Sequence, residues 1–345
     1  MAFTAGELAN IANAALDYYI KGKALAQSIQ ARPLYDAVRN AQKNFPGGKG
    51  EISIPVKGDY TTTLAGYTHD DTVSYSNPAN IKRATFNWFE VHAGIELTLT
   101  ELKHDGISVV DSMNSEETTE HSEAEMTRLT GLLEDKLDDM MEGWARSFND
   151  MLWRDGTQDS LAIPGIQALL SETPTTGTVG GLSRASFAWW RNRVSLAINA
   201  ATPANQVLID TMHTEMRQLR RYGGRPNLAL AGSDFLDAIG AELRAKGNYS
   251  DTGFARRGSN NLGMAEVSYN GLVFQYDPTL DDLSKSKYCY VMDTKHIKLM
   301  TMDGEDMKQH SPARPSDKYV MYRALTYTGG LVIDQPNTCG IYSIA

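Results

Sequence analysis

Cysteine is nearly missing from this chain: Cys289 and Cys339 are the only two in 345 residues. Their separation matches no metal-ligand spacing, so two free thiols in a reducing compartment are expected rather than a disulfide scaffold. No run of 18 or more apolar residues is present, which excludes a membrane-spanning helix. The start, Met1 to Glu7, has neither the basic stretch nor the apolar run of a signal peptide. Positive charge is in deficit: 33 Lys and Arg stand against 42 Asp and Glu, a net charge of −9. Such a chain is not a nucleic-acid binder driven by bulk phosphate neutralisation, and any contact with DNA has to come from local patches.

Motifs that carry chemistry are equally scarce. Gly177-Thr-Val-Gly-Gly181 is glycine-rich, but no Lys-Ser/Thr pair follows it, so it reads as a tight turn and not as a phosphate-binding loop. His69-Asp70-Asp71 sits in a polar loop without further ligands for a cation. His213 and Glu215 lack the His-Glu-x-x-His spacing of a zinc protease. No nucleophile elbow surrounds any serine. No catalytic, cofactor or metal site is expected.

Elongated elements are what the chain does have. Residues 51–102 read as one long β ribbon, in which Ile52, Ile54 and Val56 alternate on the outgoing strand. On the returning strand Phe89, Val91, Ala93, Ile95, Leu97 and Leu99 fall on one face, with Glu90, Glu96, Thr98 and Thr100 mainly on the other. A strand of roughly 15 residues covers about 50 Å at ~3.3 Å per residue. A lone two-stranded ribbon of that reach is marginal in water, so it is expected to lie on a neighbouring subunit. Between the strands, Tyr60 to Lys82 has the Thr, Gly, Asn and Asp content of an exposed loop tip.

A helix is predicted over Glu116 to Trp153. Met126, Leu129, Leu133, Leu137, Met140, Trp144, Phe148 and Met151 recur every three or four residues, opposite Glu134, Asp135, Asp138, Asp139 and Glu142. Ahead of the ribbon, Thr4 and Glu7 form a capping-box pair, and helical spacing runs to Asn44 with a break at Arg32-Pro33. Beyond the long helix the signals mix. Phe187, Trp190, Val194 and Ile198 share a helical face, so Trp190 reads as core and not as a base-stacking platform for Arg184, Arg191 and Arg193. A helix is predicted from Thr202-Pro203 to Arg221, a strand at Leu228–Ala231, and a helix from Ser233 to Gly247. A hairpin is predicted around Asn270-Gly271. Further strands are predicted at Tyr288–Met292, Ile297–Met302, Tyr319–Tyr327 and Leu331–Ile333. The arginines from Arg217 to Arg225 read as polar interface groups. Together these make an α+β protein without an internal repeat.

The order of parts resembles that of a major capsid protein of a tailed bacteriophage over essentially the whole chain. The most specific stretch is Pro164-Gly-Ile-Gln-Ala-Leu-Leu170, then Thr176-Gly-Thr-Val-Gly-Gly181, then Trp189-Trp-Arg-Asn192; Tyr319 to Ile344 resembles the terminal strands of that family. The resemblance implies an N-terminal helical arm (1–50), an extended β-hairpin loop (51–103) and a peripheral domain (104–199) with a spine helix (116–153). It also implies an α/β axial domain (200–311) and C-terminal strands (312–345) returning to the peripheral domain. The function implied is self-assembly, through pentamers and hexamers, into an icosahedral shell around double-stranded DNA held without sequence specificity. Portal, scaffold and decoration proteins are the other implied partners, with a virion location and assembly in the host cytoplasm. Inter-subunit contacts are expected at Tyr60, Tyr67, His69, Asp70, Tyr75, Trp88, Arg256 and Arg257. The arm is too short for a cleaved scaffolding segment, and a crosslink between Lys57 or Lys82 and Asn337 has suitable residue types but no other support. An encapsulin-type nanocompartment shell, which shares the fold, is the alternative; a soluble α+β enzyme stands behind it.

Overall fold

The computed structural model describes residues 30–48, 50–59, 62, 64–73, 75, 80–98, 100, 104, 123–245, 267–269, 271–310 and 320–345. The arm's first 29 residues, Tyr60, Arg256, Arg257 and the segment before the long helix lie outside them. Pro33 opens helix α1 (Pro33–Asn40) at a position where no amide donor is needed. The proline read as a break is therefore a start. The expected helical turn up to Asn44 is replaced by strand β1 (Lys43–Phe45), which pairs in parallel with β12 (Ile297–Met302), Lys43 opposite Met300. A distant strand supplies the backbone partners that local propensity would have sought in a helix.

The described chain divides into two compact units, one holding residues 91–147 and 304–327 and the other 31–90, 148–303 and 328–345. In the first, β4 (Phe89–Thr98) pairs with β14 (Val320–Ile333), and β13 (Lys308–His310) runs antiparallel to β14 with Lys308 opposite Thr326. Along β4, Phe89, Val91, Ala93 and Ile95 are half-buried while Glu90, His92, Gly94 and Glu96 are exposed. The alternation is as expected; the partner is not. Residues 89–98 leave the ribbon and join the C-terminal strand. Helix α2 (Glu123–Trp153) buries Met140, Trp144 and Phe148 and exposes Asp138 and Asp139, so over residues 138–153 the apolar stripe is the buried one.

The second unit is organised by a six-stranded sheet in the order β7-β15-β11-β8-β10-β9. These strands are β7 (Arg193–Ile198), β8 (Leu228–Ala231), β9 (Val267–Tyr269), β10 (Leu272–Tyr276), β11 (Tyr288–Met292) and β15 (Gly340–Ile344). Gly271, at φ +79°, makes the turn between β9 and β10 where the Asn-Gly signal placed it. Helices α4 (Val207–Arg220) and α5 (Ser233–Ala245) cover one face of this sheet. Leu208, Met212, Met216, Phe235 and Ile239 interleave there with Ala229, Ala231, Phe274, Val291 and Tyr342. The two helices are tied together: Glu242, in the last turn of α5, accepts the amides of Leu208 (3.1 Å) and Ile209 (2.9 Å) in the first turn of α4. On the other face, the indole of Trp153 packs edge-on against Tyr290, centroids 5.0 Å apart.

Three sequence expectations change here. Phe187 to Ile198 is not helical: a 3-10 turn (Ala188–Trp190) leads into β7, which gains β15 as a parallel partner with Val194 opposite Ile341. The strands expected at 319–327 and 331–333 are one continuous β14, because Gly329 and Gly330 pair on with Thr301 and Met300. A Cβ at Gly330 would sit 2.7 Å from the Asn87 carbonyl, so a close backbone approach explains the glycine. Last, the described residues 320–345 divide between two sheets, with β14 beside β12 and β13, and β15 between β11 and β7 in the six-stranded sheet. Cys289 and Cys339 are free and buried, and burial raises both thiols, Cys339 to about 11.

Candidate assembly surface

The ribbon itself is shorter than its sequence. Strands β2 (Glu51–Lys57) and β3 (Ile81–Asn87) pair antiparallel from Glu51↔Asn87 to Lys57↔Ile81. Cross-strand neighbours share a face, and Ile52, Val56, Ala84 and Phe86 on that face are all buried. They are not buried against another subunit. The ribbon's root lies on the hairpin formed by β5 (Thr178–Val179) and β6 (Leu182–Ser183) and on the turn after it.

Gly180 and Gly181 close that hairpin with φ of +56° and +72°, the left-handed region open to glycine. Gly180 is doubly constrained: a Cβ there would lie 2.8 Å from the Phe86 ring and 3.1 Å from the Ala84 Cβ. Its carbonyl accepts the Thr85 amide at 2.9 Å, so the platform pairs with the ribbon's backbone as well as its side chains. At the ribbon's far side a Cβ on Gly58 would meet the Trp189 ring at 2.9 Å. Lys82 places its ammonium 6.0 Å from the centroid of Phe187.

The platform is rigid for identifiable reasons. Trp190 is fully buried and donates from Nε1 to the Val179 carbonyl at 3.0 Å. Arg184 is buried, donates to the Leu169 carbonyl, and is drawn below the ordinary arginine range by desolvation. Arg191 donates to the carbonyls of Arg184 (2.7 Å) and Ala185 (2.8 Å). The Asn192 side chain clasps the Ser171 backbone, accepting from its amide at 3.1 Å and donating to its carbonyl at 2.9 Å. Buried, hydrogen-bonded side chains of this kind specify one geometry, although the Arg184 Nε is left without a partner. Of the arginines beside the tryptophans, Arg184 and Arg191 thus serve backbone carbonyls, and Arg193 pairs with Glu215 at 2.8 Å.

Beyond Gly58 the loop is open to solvent. Leu64 is 103% exposed, Tyr75 94%, Ile81 72% and Tyr67 67%, and Val73 is exposed as well. His69 and Asp70 are exposed within the same stretch. The neighbouring Asp71 accepts from the Thr68 amide and hydroxyl, both at 2.8 Å, which holds its carboxyl below the usual carboxylate range. Trp88 is half-buried where β3 gives way to β4. The structure thus places Tyr67, His69, Asp70 and Tyr75 on one exposed loop and Trp88 at its root. The platform was missed by sequence reasoning. Its signal was the glycine pair at positive φ followed by paired tryptophans, which was read as a turn and a core residue without connection to the ribbon.

No group of three or more His, Cys, Asp or Glu among the described residues could hold a metal ion. A shallow cleft of about 230 Å³ near Asp155, Glu172 and Tyr290 is polar, but Glu172 is already paired with Lys285 at 2.6 Å. No helix among the described residues is long and apolar enough to cross a membrane.

No family model matches the chain, and no curated protein matches it. Solved structures do. One chain of the cyanophage A-1(L) capsid asymmetric unit superposes with a TM-score of 0.64 at 16% identity, covering 93% of this chain and 94% of that one. A chain of the capsid of Myoviridae phage XM1 gives 0.52 at 9% identity, over 94% and 95%. A chain of the capsid of a native GTA particle gives 0.51 at 13% identity, over 95% and 98%. The chain therefore shares the fold of these capsid chains over 93–95% of its length.

Proposed function

We propose that this protein is the major capsid protein of a tailed bacteriophage, assembling through pentamers and hexamers into the icosahedral shell around a double-stranded DNA genome. One observation carries the reading beyond the fold: a ribbon whose root is tied to its own chain presents Leu64, Tyr67, Val73, Tyr75 and Ile81 to solvent. Burying each such side chain is worth about 1.5–3 kcal/mol, and closed symmetry repeats the contact at every subunit. In this reading 1–50 is the arm, 51–103 the loop that overlaps the adjacent subunit, and 104–199 the peripheral domain. Residues 200–311 form the axial domain, and the 312–345 strands complete the body. Tyr67, His69, Asp70 and Tyr75 meet the neighbour from the tip, with Tyr60, Trp88, Arg256 and Arg257 as further contacts. Packaged DNA, a portal and scaffold or decoration proteins are the partners, and the virion is the location.

Deleting 60–82 tests the reading. The expected product is a folded subunit that no longer closes shells, seen as wild-type thermal melting with loss of the fast-sedimenting fraction. Normal particle yield would refute the role given to the loop. A full-length protein that stays monomeric would refute the assembly reading itself, and particles filled with an enzyme instead of DNA would point to a nanocompartment.

A further inference from the structure

The end of α4 and the turn after it collect the scarcer charge. Arg217 and Arg221 are exposed one helical turn apart, and Arg225 is exposed beyond them. The Arg225 amide donates to Asp293 at 2.8 Å, and Asn227 and Thr294 exchange hydrogen bonds of 2.8 and 3.0 Å, so this turn lies against the loop after β11. That loop adds the exposed Lys295. Four cations thus gather where β8 begins and β11 ends, Leu228 being paired with Met292 there. Carboxylates on the same segments are engaged by other groups. Glu215 takes Arg193 through both oxygens, at 3.0 and 2.8 Å, and Asp293 accepts the amides of Arg225 and Lys295. Asp334 holds His296 at 2.6 Å and Lys298 at 2.7 Å.

Among the described residues no ion pair uses Arg217, Arg221, Arg225 or Lys295. Arg217 keeps only the Thr214 hydroxyl, at 3.5 Å, and the Arg221 guanidinium lies 5.6 Å from the ring centroid of Tyr222. A helix C-terminus favours cations, which accounts for Arg217 and Arg221 but not for Arg225 and Lys295, beyond the helix. Two features set the partner. Within 208–227 and 293–298 the only exposed large hydrophobic among the described residues is Tyr222, 58% exposed, so the surface lacks the apolar centre of a protein interface. Arginine's planar fork matches phosphate oxygens, and in a chain of net charge −9 contact with DNA requires a local patch of this kind. We propose that Arg217, Arg221, Arg225 and Lys295 bind the phosphate backbone of duplex DNA and form the subunit's contact with the genome. Phosphate contacts carry no sequence information, and the shell repeats a weak contact at every subunit. The genomic source of the DNA rests on the assembly reading above.

The test titrates the full-length protein into labelled duplex DNA of two unrelated sequences, from 50 to 200 mM salt, and reads fluorescence anisotropy. Both sequences should bind equally. Changing Arg217, Arg221 and Arg225 together to Gln should weaken binding about tenfold at 50 mM salt. The slope of log affinity against log salt should flatten by about one unit per arginine, with thermal melting unchanged. The same three positions changed to Lys should keep most of the affinity. A control chain with Lys43→Gln, Arg83→Gln and Arg146→Gln loses the same charge from other exposed positions and should bind as the unaltered chain does. If the triple variant melts early, Arg225→Gln alone, outside the helix, should still flatten the slope by about one unit. Unchanged affinity in the arginine variants, equal weakening by the control, or no binding at 50 mM salt would overturn the proposal. Particle yield that falls while DNA affinity holds would hand the face to a second copy and overturn it too. In these cases particles from the unaltered chain leave the assembly reading standing. A chain that binds DNA through these arginines yet never assembles would sink that reading alone.

Discussion

The Trp153 indole Nε1 donates a 2.7 Å hydrogen bond to Oδ2 of Asp277, and both residues are completely buried. Around this pair the Thr279 amide donates to Asp277 Oδ1 at 3.0 Å, Asn149 donates to the Thr279 hydroxyl at 2.7 Å, and the Tyr35 amide donates to Asn149 Oδ1 at 3.0 Å. One network thus ties α1, the end of α2 and the short helix α6 (Pro278–Asp282), which Asp277 caps. A buried carboxylate is tolerated only while it is surrounded by donors.

Replacing Trp153 with Phe should therefore cost stability in a pH-dependent way. Burial raises the Asp277 carboxyl above the usual range, against the lowering by Trp153 and Thr279. A carboxyl raised in the folded state adds stability that is complete below its unfolded value and drains as pH rises through the folded one. Loss of the indole donor raises it further, so the cost, about 1–3 kcal/mol at neutral pH, should shrink as pH approaches 4. Urea titrations at both pH values measure this; equal costs would show that the carboxylate charge is irrelevant to the bond.

Glu242 holds the first turn of α4 in place of a local cap, since Gln206, the residue ahead of the helix, makes no side-chain cap bond. Changing it to Leu leaves two buried amides unmet, at about 1–3 kcal/mol each. Glu242→Gln should retain part of the effect. Chemical denaturation of the three proteins would rank them Glu, Gln, Leu, and any other order contradicts the capping role.

Gln206 has a φ of +55°. Left-handed backbone costs a non-glycine residue roughly 1–2 kcal/mol, while glycine concedes about 0.4–1 kcal/mol to the unfolded chain. Gln206→Gly should leave stability unchanged or raise it by up to about 1.5 kcal/mol on those figures. A clear fall in melting temperature would mean that the Gln206 side chain contributes contacts of its own.

Gly180→Val should unseat the ribbon without unfolding the core. The added side chain meets Phe86 and Ala84 on the ribbon face, at a left-handed position that β-branched residues avoid. Limited proteolysis should cut between residues 58 and 80 faster, and particle yield should drop while core melting changes little. Unaltered cleavage would show that the platform does not govern the ribbon.

Local pattern was enough wherever an element's partner lay close by or its burial was one-sided. The alternation of Phe89 to Ile95, the Met140-Trp144-Phe148 stripe, the strand Leu228–Ala231 and the Asn270-Gly271 turn are all readable because period and turn chemistry state which face goes inward. The exposed loop was readable for the same reason: Tyr67, His69, Asp70 and Tyr75 stand among residues that cannot make a core. Partner identity was not readable. Strand periodicity says that Val91 points inward but not that β14, instead of β2, lies beside it, and nothing local distinguishes Lys43–Phe45 as a last helical turn from a strand beside Met300.

What the amino-acid order determined alone is therefore the type of most of the described elements and a solvent-facing tip between two strands. What only tertiary structure decided is pairing: the break of the ribbon at Trp88, its seat on Gly180 and Trp189, and the place of Gly340–Ile344 inside the six-stranded sheet. Periodicity is set by each residue's own geometry and survives in one dimension. Pairing is a competition among distant backbones for the same hydrogen bonds, and its outcome exists only once the chain has folded.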